Sequence, residues 1–518
     1  MSRPTSRVLL IYPPNQLLPV ETPRPDGSLG PLYLAASLEA HGIPTDILDA
    51  SVGPSGQSLE TTFCRSVLQE NGLIRIGMSF SEIAEFVIQG GYRTVGISSN
   101  FTPQTRMVIE TARAIKKANP AIQVYTGGVN ARALRETFLR TGLFDGICLG
   151  EGELILPRMI AAHARGESVL TVPGVAANEH GVMKVNPIDA SCFPASLDDL
   201  PMPAWEKLPL EQYARIASPH GVDVSERHNQ RYAPIMTSRG CPFQCAYCHI
   251  SQEKNESDLT GAIGKLRLHS IDRVMREIDV LVSLGVGALF FEDDSMLAAK
   301  PRVKQIFSAI KKHGLRLANV NGVNLVHLFK PHSLAKPGQW EIDEDYLHVL
   351  KEGGFDQMVF PVESGSQRIL DTYATAKVKL DRMDLPKLMR LMTDLGIKAP
   401  VNMMIGFPDE TEAEIRQSID LAKKLMDAGA PYVTLFIPIP FPGSRLFDIA
   451  LTGGWLDANF DPDLMNWKNP VMKNTVVGPQ RLVELRDQWN AALNTESHQA
   501  MRLKQSAGHR LAMDKEGA

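Results

Sequence analysis

Over the first 165 positions apolar residues fall into short continuous runs separated by longer stretches of helical period. The runs at 8–12, 45–48, 94–98, 122–125 and 146–149 have the length and β-branched content of buried strands. Stretches at 32–41, 104–118, 131–139 and 153–164 repeat apolar residues every three to four positions, as helices do. This alternation predicts a doubly wound parallel α/β sheet over 1–165. Between 166 and 230 the period weakens. VAANEHGVMKVNP predicts a small hairpin about Gly181, and LDDLPMPAW forms a proline-punctuated linker. Alternation resumes over 231–452, with strands expected at 233–237, 288–291, 317–320, 357–362, 401–405 and 432–437. Helices are expected at 271–284, 300–312, 385–395 and 412–428. Six such units predict a partial (β/α)6 barrel, and 453–518 a small helical cap with an amphipathic segment at 482–493.

Parallel sheets bind ligands beyond the carboxyl ends of their strands. In the first sheet those ends carry small polar and turn residues: Ser28 and Gly30; Ser98, Ser99, Thr102 and Gln104; Gly127, Gly128 and Asn130; Gly150, Glu151 and Gly152. Any one glycine is explained by a turn, but their joint position at one edge marks a ligand site. After the first strand stands Tyr12-Pro13-Pro14-Asn15, which cannot form the phosphate cradle of a dinucleotide site. In the barrel, Glu292, Asp293 and Asp294 follow the second strand, Glu363 and Ser364 the fourth, and Ile437 the sixth. Three adjacent acids suit a cationic ligand better than a solvated turn. Gly406, Pro408, Glu410 and Thr411 after the fifth strand shape a turn and open a helix.

Charge and composition narrow the classes. The 518 residues carry a net charge of -4 and show no basic stripe for nucleic acid or an anionic membrane. The first apolar run is too short for a signal peptide, and none approaches the ~18 residues of a membrane span. Six cysteines show no secreted disulfide framework, which places the chain in a reducing, cytoplasmic compartment.

Three of those cysteines, Cys241, Cys245 and Cys248, stand as C-x3-C-x2-C in one loop after the first barrel strand. A cuboidal iron-sulfur cluster takes four thiolates, so three leave one iron open to a further ligand. A Cys3His zinc site with His249 is the rival, although structural zinc usually draws its ligands from two separated knuckles. Cys64 in a helical pattern, Cys148 in a strand and Cys192 in the linker receive no role.

The cysteine loop, with Tyr247 between its last two thiols, resembles the signature of radical S-adenosylmethionine (SAM) enzymes. The segments SLGPLYLAASLEAHGIPTDILDA, VGISSNFTPQT, TGGVNAR and FDGICLGEGE resemble the Rossmann-like cobalamin-binding domain that precedes one large class of them, and LDDLPxPAW linkers recur there. The chain is therefore identified as a member of the cobalamin-dependent radical SAM family, among its class B methyltransferases. A flavodoxin-like domain with another ligand is the alternative for 1–165.

The resemblance implies a 4Fe-4S cluster on Cys241, Cys245 and Cys248, with SAM chelating the open iron. It implies that Tyr247, Glu292, Asp293, Glu363, Ser364 and the backbone at Ile437 hold SAM, and that the edge residues of the first sheet hold cobalamin. The D-x-H-x-x-G motif is missing, which implies no histidine beneath the cobalt. The edge of the sheet is expected to face the barrel mouth, with Trp467 at the entrance or in the core. The implied reaction is hydrogen abstraction by a 5'-deoxyadenosyl radical, then methyl transfer from methylcobalamin to a carbon of a small biosynthetic intermediate, as in antibiotic biosynthesis. A phosphinate phosphorus is the second choice of acceptor. A flavodoxin or ferredoxin would supply electrons. Radical cyclisation or ring rearrangement without methyl transfer, and non-catalytic metal binding, are the rivals.

Overall fold

A computed structural model describes residues 7–19, 21, 29–216, 231–255, 257, 259–319, 321–330, 338–375, 377–466 and 468–500. Ser28 and Trp467 lie outside the described residues. The chain divides into two compact units near residue 230, with Glu253–Ile263 belonging to the first.

In the first unit, Val8–Tyr12 pairs in parallel with both Thr45–Asp49 and Thr94–Ser98. Gln123–Gly127 and Gly146–Cys148 continue the parallel sheet outward from Thr94–Ser98. In chain order the parallel strands therefore run 2-1-3-4-5, with the reversal between Val8–Tyr12 and Thr94–Ser98. Every residue of Val8–Tyr12 is buried, as expected of a strand covered on both faces. The hairpin expected in the linker is present as Val175–Glu179 and Val182–Asn186, paired antiparallel at one end of this sheet.

Two local expectations are corrected. Residues 131–139 form two short helices, Val129–Ala133 and Arg135–Arg140, because Leu134 leaves helical geometry at φ -104° and ψ 27°. Cys64 lies in a turn, not a helix. Helix Phe80–Gln89, opened by a reciprocal Ser79–Glu82 cap, and a small antiparallel sheet of Asn15–Leu17, Ile74–Ile76 and Ser66–Leu68 were not foreseen.

In the second unit, Tyr232–Ile235, Ala288–Phe291, Arg316–Asn319 and Phe355–Met358 form a parallel sheet of four strands. Phe360–Glu363, Val401–Met404 and Val433–Phe436 form another of three. The expected fourth strand is thus interrupted at Val359, its first half pairing with the third strand and its second half with the fifth. The result is an open six-step crescent of parallel strands. Phe291, Phe307 and Phe355 stack behind it with centroids 5.4–6.0 Å apart. Helix Pro479–Leu493 serves its last strand: the Asn490 and Asn494 side chains accept from Leu435 N and Val433 N, both at 2.9 Å. That saturates backbone groups an edge strand would otherwise expose. Among the described residues no helix is long and apolar enough to cross a membrane.

Candidate active site

The cysteine loop has little regular structure of its own, and neighbouring strand ends hold it. After Tyr232–Ile235 the chain makes a short antiparallel pair, Ser238–Arg239 with Arg267–Leu268. Asp293 at the end of the second strand accepts from Thr237 N (3.0 Å), Thr237 Oγ1 (2.7 Å) and Ser238 Oγ (2.5 Å). It is fully buried, and burial raises its pKa above the usual range. Expected at SAM, Asp293 directs its carboxylate to the loop instead. Asp294 accepts from Gly240 N at 2.9 Å, and burial pushes it up to about 6. Gly240 stands at φ +82°, where a Cβ would lie 2.4 Å from Lys265 O, so only glycine passes through this turn. Glu292 is half-buried, its N–H donating to Ile235 O.

Beyond Gly240, Cys241 N donates to Gly264 O at 3.1 Å, and Asn324 Nδ2, which also reaches Ser295 Oγ at 3.0 Å, donates to Cys241 Sγ at 3.9 Å. Cys245 O accepts from Cys248 N (3.2 Å) and Ser251 Oγ (2.8 Å). Between them Ala246 N donates to Tyr373 O, and Leu446 N to Ala246 O, both at 2.7 Å. Ala246 packs with Ile369, Tyr373, Phe407 and Leu446, where Tyr373 and Phe407 stack at 4.4 Å.

Tyr247 Oη donates to Glu363 Oε1 at 2.7 Å, and Lys377 Nζ donates to the same oxygen at 2.6 Å. Burial raises the Tyr247 pKa, and the Glu363 carboxylate adds to it. Glu363 takes a positive φ of 70° where its strand ends. Ser364 is fully buried and its Oγ accepts from Ser366 N at 3.1 Å, so it shapes the turn. Ile437 follows directly on the last strand with a buried side chain. Lys377 and Asn324 carry no motif that would have revealed them, since only the fold brings them to the loop.

The thiols suit a cluster. Burial raises the Cys241 pKa and pushes Cys248 up to about 12, and in both cases the neighbouring Cys245 adds to the effect, so the three sulfurs lie within electrostatic reach of one another. Among the described residues no three His, Cys, Asp or Glu side chains converge tightly enough to hold a single ion. A cluster would take each thiolate on a separate iron, with loss of the thiol protons.

In the first unit the strand ends are tied to one another. Ser99, just past Ser98, accepts at its carbonyl from Asn130 N, and its own N–H donates to Gly127 O at 2.9 Å. Asn130 Nδ2 donates to Ser99 Oγ and Thr105 Oγ1, both at 3.0 Å, while its buried Oδ1 has no partner. A Cβ on Gly128, at φ +102°, would lie 2.2 Å from Asn100 Oδ1. Thr102 is buried and its carbonyl accepts from Thr105 Oγ1. Gln104 exchanges amide hydrogen bonds with the Gln16 backbone, both at 2.8 Å. Gly30 lies in the first turn of Leu29–Ala40, Glu151 caps helix Gly152–Ala164, and Cβ atoms on Gly150 or Gly152 would press on Ile188 or Leu34. These contacts tie the strand ends together and leave one buried polar atom, Asn130 Oδ1, over.

The B12 binding domain family matches residues 27–160, and the radical SAM superfamily matches 235–422. A Pyrococcus horikoshii protein described as an uncharacterized methyltransferase is 28% identical over 435 residues, covering 82% of this chain and 84% of its own. The cytidylyl-2-hydroxyethylphosphonate methyltransferase of Streptomyces wedmorensis is 26% identical over 530 residues, covering 96% and 92%. The fold matches the radical SAM methyltransferase TsrM of Kitasatospora setae with a TM-score of 0.60 at 17% identity, covering 87% of this chain and 77% of that one. The cobalamin-dependent SAM radical enzyme OxsB gives 0.59 at 17% identity, covering 87% and 55%. Two matched domains in one chain, a three-thiol loop in one and a ligand edge in the other, carry the conclusion: this chain belongs to the cobalamin-dependent radical SAM methyltransferase family, with a 4Fe-4S cluster, SAM and cobalamin as its cofactors.

Proposed function

We propose that the chain methylates a carbon of a small biosynthetic intermediate by a radical route, consuming two SAM molecules per methyl group, with phosphinate phosphorus the second choice of acceptor. The observation that carries this reading is the C-x3-C-x2-C loop after the first strand of an open parallel barrel, in one chain with a B12-binding sheet. When bound, cluster and SAM supply a 5'-deoxyadenosyl radical and cobalamin supplies the methyl group. The protein supplies placement. Cys241, Cys245 and Cys248 hold the cluster. Glu292, Glu363, Ser364, Tyr247 and the backbone at Ile437 surround SAM, and Ser98, Gly128 and Gly150 border the corrinoid. Asp293 holds Thr237 and Ser238, and Asp294 holds Gly240, where the chain enters the loop. A flavodoxin or ferredoxin is the electron source this reading requires.

Coproduct stoichiometry tests it. The full chain, reconstituted anaerobically, is given methyl-labelled SAM, a reductant and candidate substrates, phosphonates and small heterocycles first. Labelled product with near-equal S-adenosylhomocysteine and 5'-deoxyadenosine is expected. Deoxyadenosine alongside an unlabelled, dehydrogenated or rearranged product would favour cyclisation. The 23% identity over 72% of this chain to an anaerobic magnesium-protoporphyrin IX monomethyl ester cyclase of Rubrivivax gelatinosus makes that outcome the one to exclude. Labelled product without deoxyadenosine would point to polar transfer.

A further inference from the structure

A second segment, which no motif marks, is fastened to the cysteine loop. Tyr373, the last residue of helix Gln367–Tyr373, accepts at its carbonyl from Ala246 N at 2.7 Å, and Thr375 Oγ1 donates to Gln244 O at 2.7 Å. Two residues further on, the Lys377 side chain is 12% exposed. Its ammonium donates to Glu363 Oε1 at 2.6 Å, the same oxygen that accepts from Tyr247 Oη at 2.7 Å. Burial opposes a charge on Lys377, but the Glu363 carboxylate and the sulfurs of Cys245 and Cys241 oppose its loss, and its pKa is raised above the ordinary 10.5. The relation runs both ways. Burial raises the Cys241 pKa, while the Phe243 backbone N–H and the Lys377 cation counter that rise. A buried ammonium thus stands within electrostatic reach of two of the three thiols, and a buried cation is costly unless anionic groups surround it. Glu363 supplies one negative charge, and the thiolates of a cluster would add more at the same place.

We propose that Lys377 sets the reduction potential of the cluster: its fixed positive charge beside Cys241 and Cys245 favours the reduced, more negative state, and Glu363 offsets part of that effect. This rests on the cluster assignment of the cysteine loop. Lys377 is a positioning residue in this role, acting through the sulfurs. One electron enters from the external reductant, the cluster is reduced by that electron, and Lys377 keeps its proton. In an interior of low dielectric a neighbouring unit charge is felt far more strongly than in water, and local charge is one of the levers that place cluster potentials.

The experiment uses the full chain with its cluster reconstituted anaerobically and no SAM, titrated with dithionite against redox mediators and followed by paramagnetic resonance of the reduced cluster. Lys377→Met is expected to leave about tenfold less of the cluster reduced at a fixed potential, a downward shift of about 59 mV for one electron. Lys377→Arg keeps the charge and should stay close to the wild type. Glu363→Gln removes only the offsetting negative charge and should raise the potential. A purely structural role for the pair would not move the two neutralised variants in opposite directions. An unmoved potential in Lys377→Met, a fall in Lys377→Arg as large as in Lys377→Met, or an unmoved or lowered potential in Glu363→Gln overturns this role of Lys377. If Lys377→Met retains no iron, the sign of the Glu363→Gln shift decides. Absence of an iron-sulfur signal in the reconstituted wild type overturns the cluster assignment instead.

Discussion

Glu410 offers a test in which sign and size both follow from geometry. It is fully buried after the fifth barrel strand, and its Oε2 accepts from Gly406 N at 2.6 Å and Phe407 N at 3.2 Å. Oε1 has no partner. The nearby cation, Arg368, is committed to Asp409 and Glu414 at 2.7 Å. A buried carboxylate without a counter-ion resists ionisation, and burial pushes Glu410 from the ordinary 4.5 up to about 7. The folded chain therefore holds this proton at pH values where the unfolded chain has lost it. The resulting stability is fully present below pH ~4.5 and is lost as pH rises toward ~7, amounting to roughly 2.5 kcal/mol between pH 5 and pH 8. Glu410→Gln keeps an oxygen to accept from Gly406 and Phe407 but cannot ionise. Its stability relative to wild type should therefore improve by about 2 kcal/mol from pH 5 to pH 8, whatever constant cost the unpaired amide nitrogen brings. Urea unfolding of the cobalamin-free, iron-free chain at both pH values, followed by circular dichroism, measures that difference. A variant stability relative to wild type that does not change with pH, or that is higher at pH 5 than at pH 8, refutes the reasoning.

Three further expectations concern the cysteine loop. Alanine at Cys241, Cys245 or Cys248 should each abolish iron retention after anaerobic reconstitution and SAM cleavage to 5'-deoxyadenosine, while cobalamin binding persists; full cleavage by any one of them contradicts the cluster assignment. Lys377→Met strands the Glu363 carboxylate in the interior, so it should cost about 3–5 kcal/mol in urea unfolding, with much of that recovered by adding Glu363→Gln; equal losses in single and double variants would deny the coupling. Asn324→Leu removes the donor to Cys241 Sγ and should lower the cluster's reduction potential in a resonance-monitored titration, and an unmoved potential would show that the 3.9 Å contact carries no electronic weight.

The sequence revealed the alternation of strands and helices because each parallel strand here is a continuous apolar run bounded by turn residues. It misplaced those elements whose boundaries depend on tertiary partners. FDQMVFPVE scans as one run, but Val359 interrupts it because its two halves pair with different neighbours. The hairpin about Gly181 was visible as alternation, while its pairing with Gly146–Cys148 was not, since pairing is a long-range choice. At the site, the three thiols could be read from spacing alone. Asp293 could not, because the same acid at a strand end serves a ligand or a neighbouring loop depending on where its carboxylate turns. Asn324 and Lys377 stand 83 and 132 positions beyond Cys241 and Cys245, where no local pattern connects them to the loop.

The barrel, not the loop, sets the spacing of the thiols. The loop is fixed at separate points: Gly240, beside Cys241, on Asp294 after the second strand, and the Cys245–Cys248 turn through Ala246 on the Tyr373 carbonyl. Tyr247 adds Glu363 from the fourth strand. Glu363 holds a left-handed backbone that costs on the order of 1 kcal/mol in a non-glycine residue, and the two donors on its Oε1 hold it there. Strain of this kind persists only where surroundings over-determine the conformation. A loop of nine residues from Gly240 to Cys248 could not by itself hold three thiols, one on a buried residue and two on half-buried ones, in a fixed arrangement. Anchored to two strand ends and to the end of helix Gln367–Tyr373, it is held in place beforehand, so iron binding has little backbone ordering left to drive.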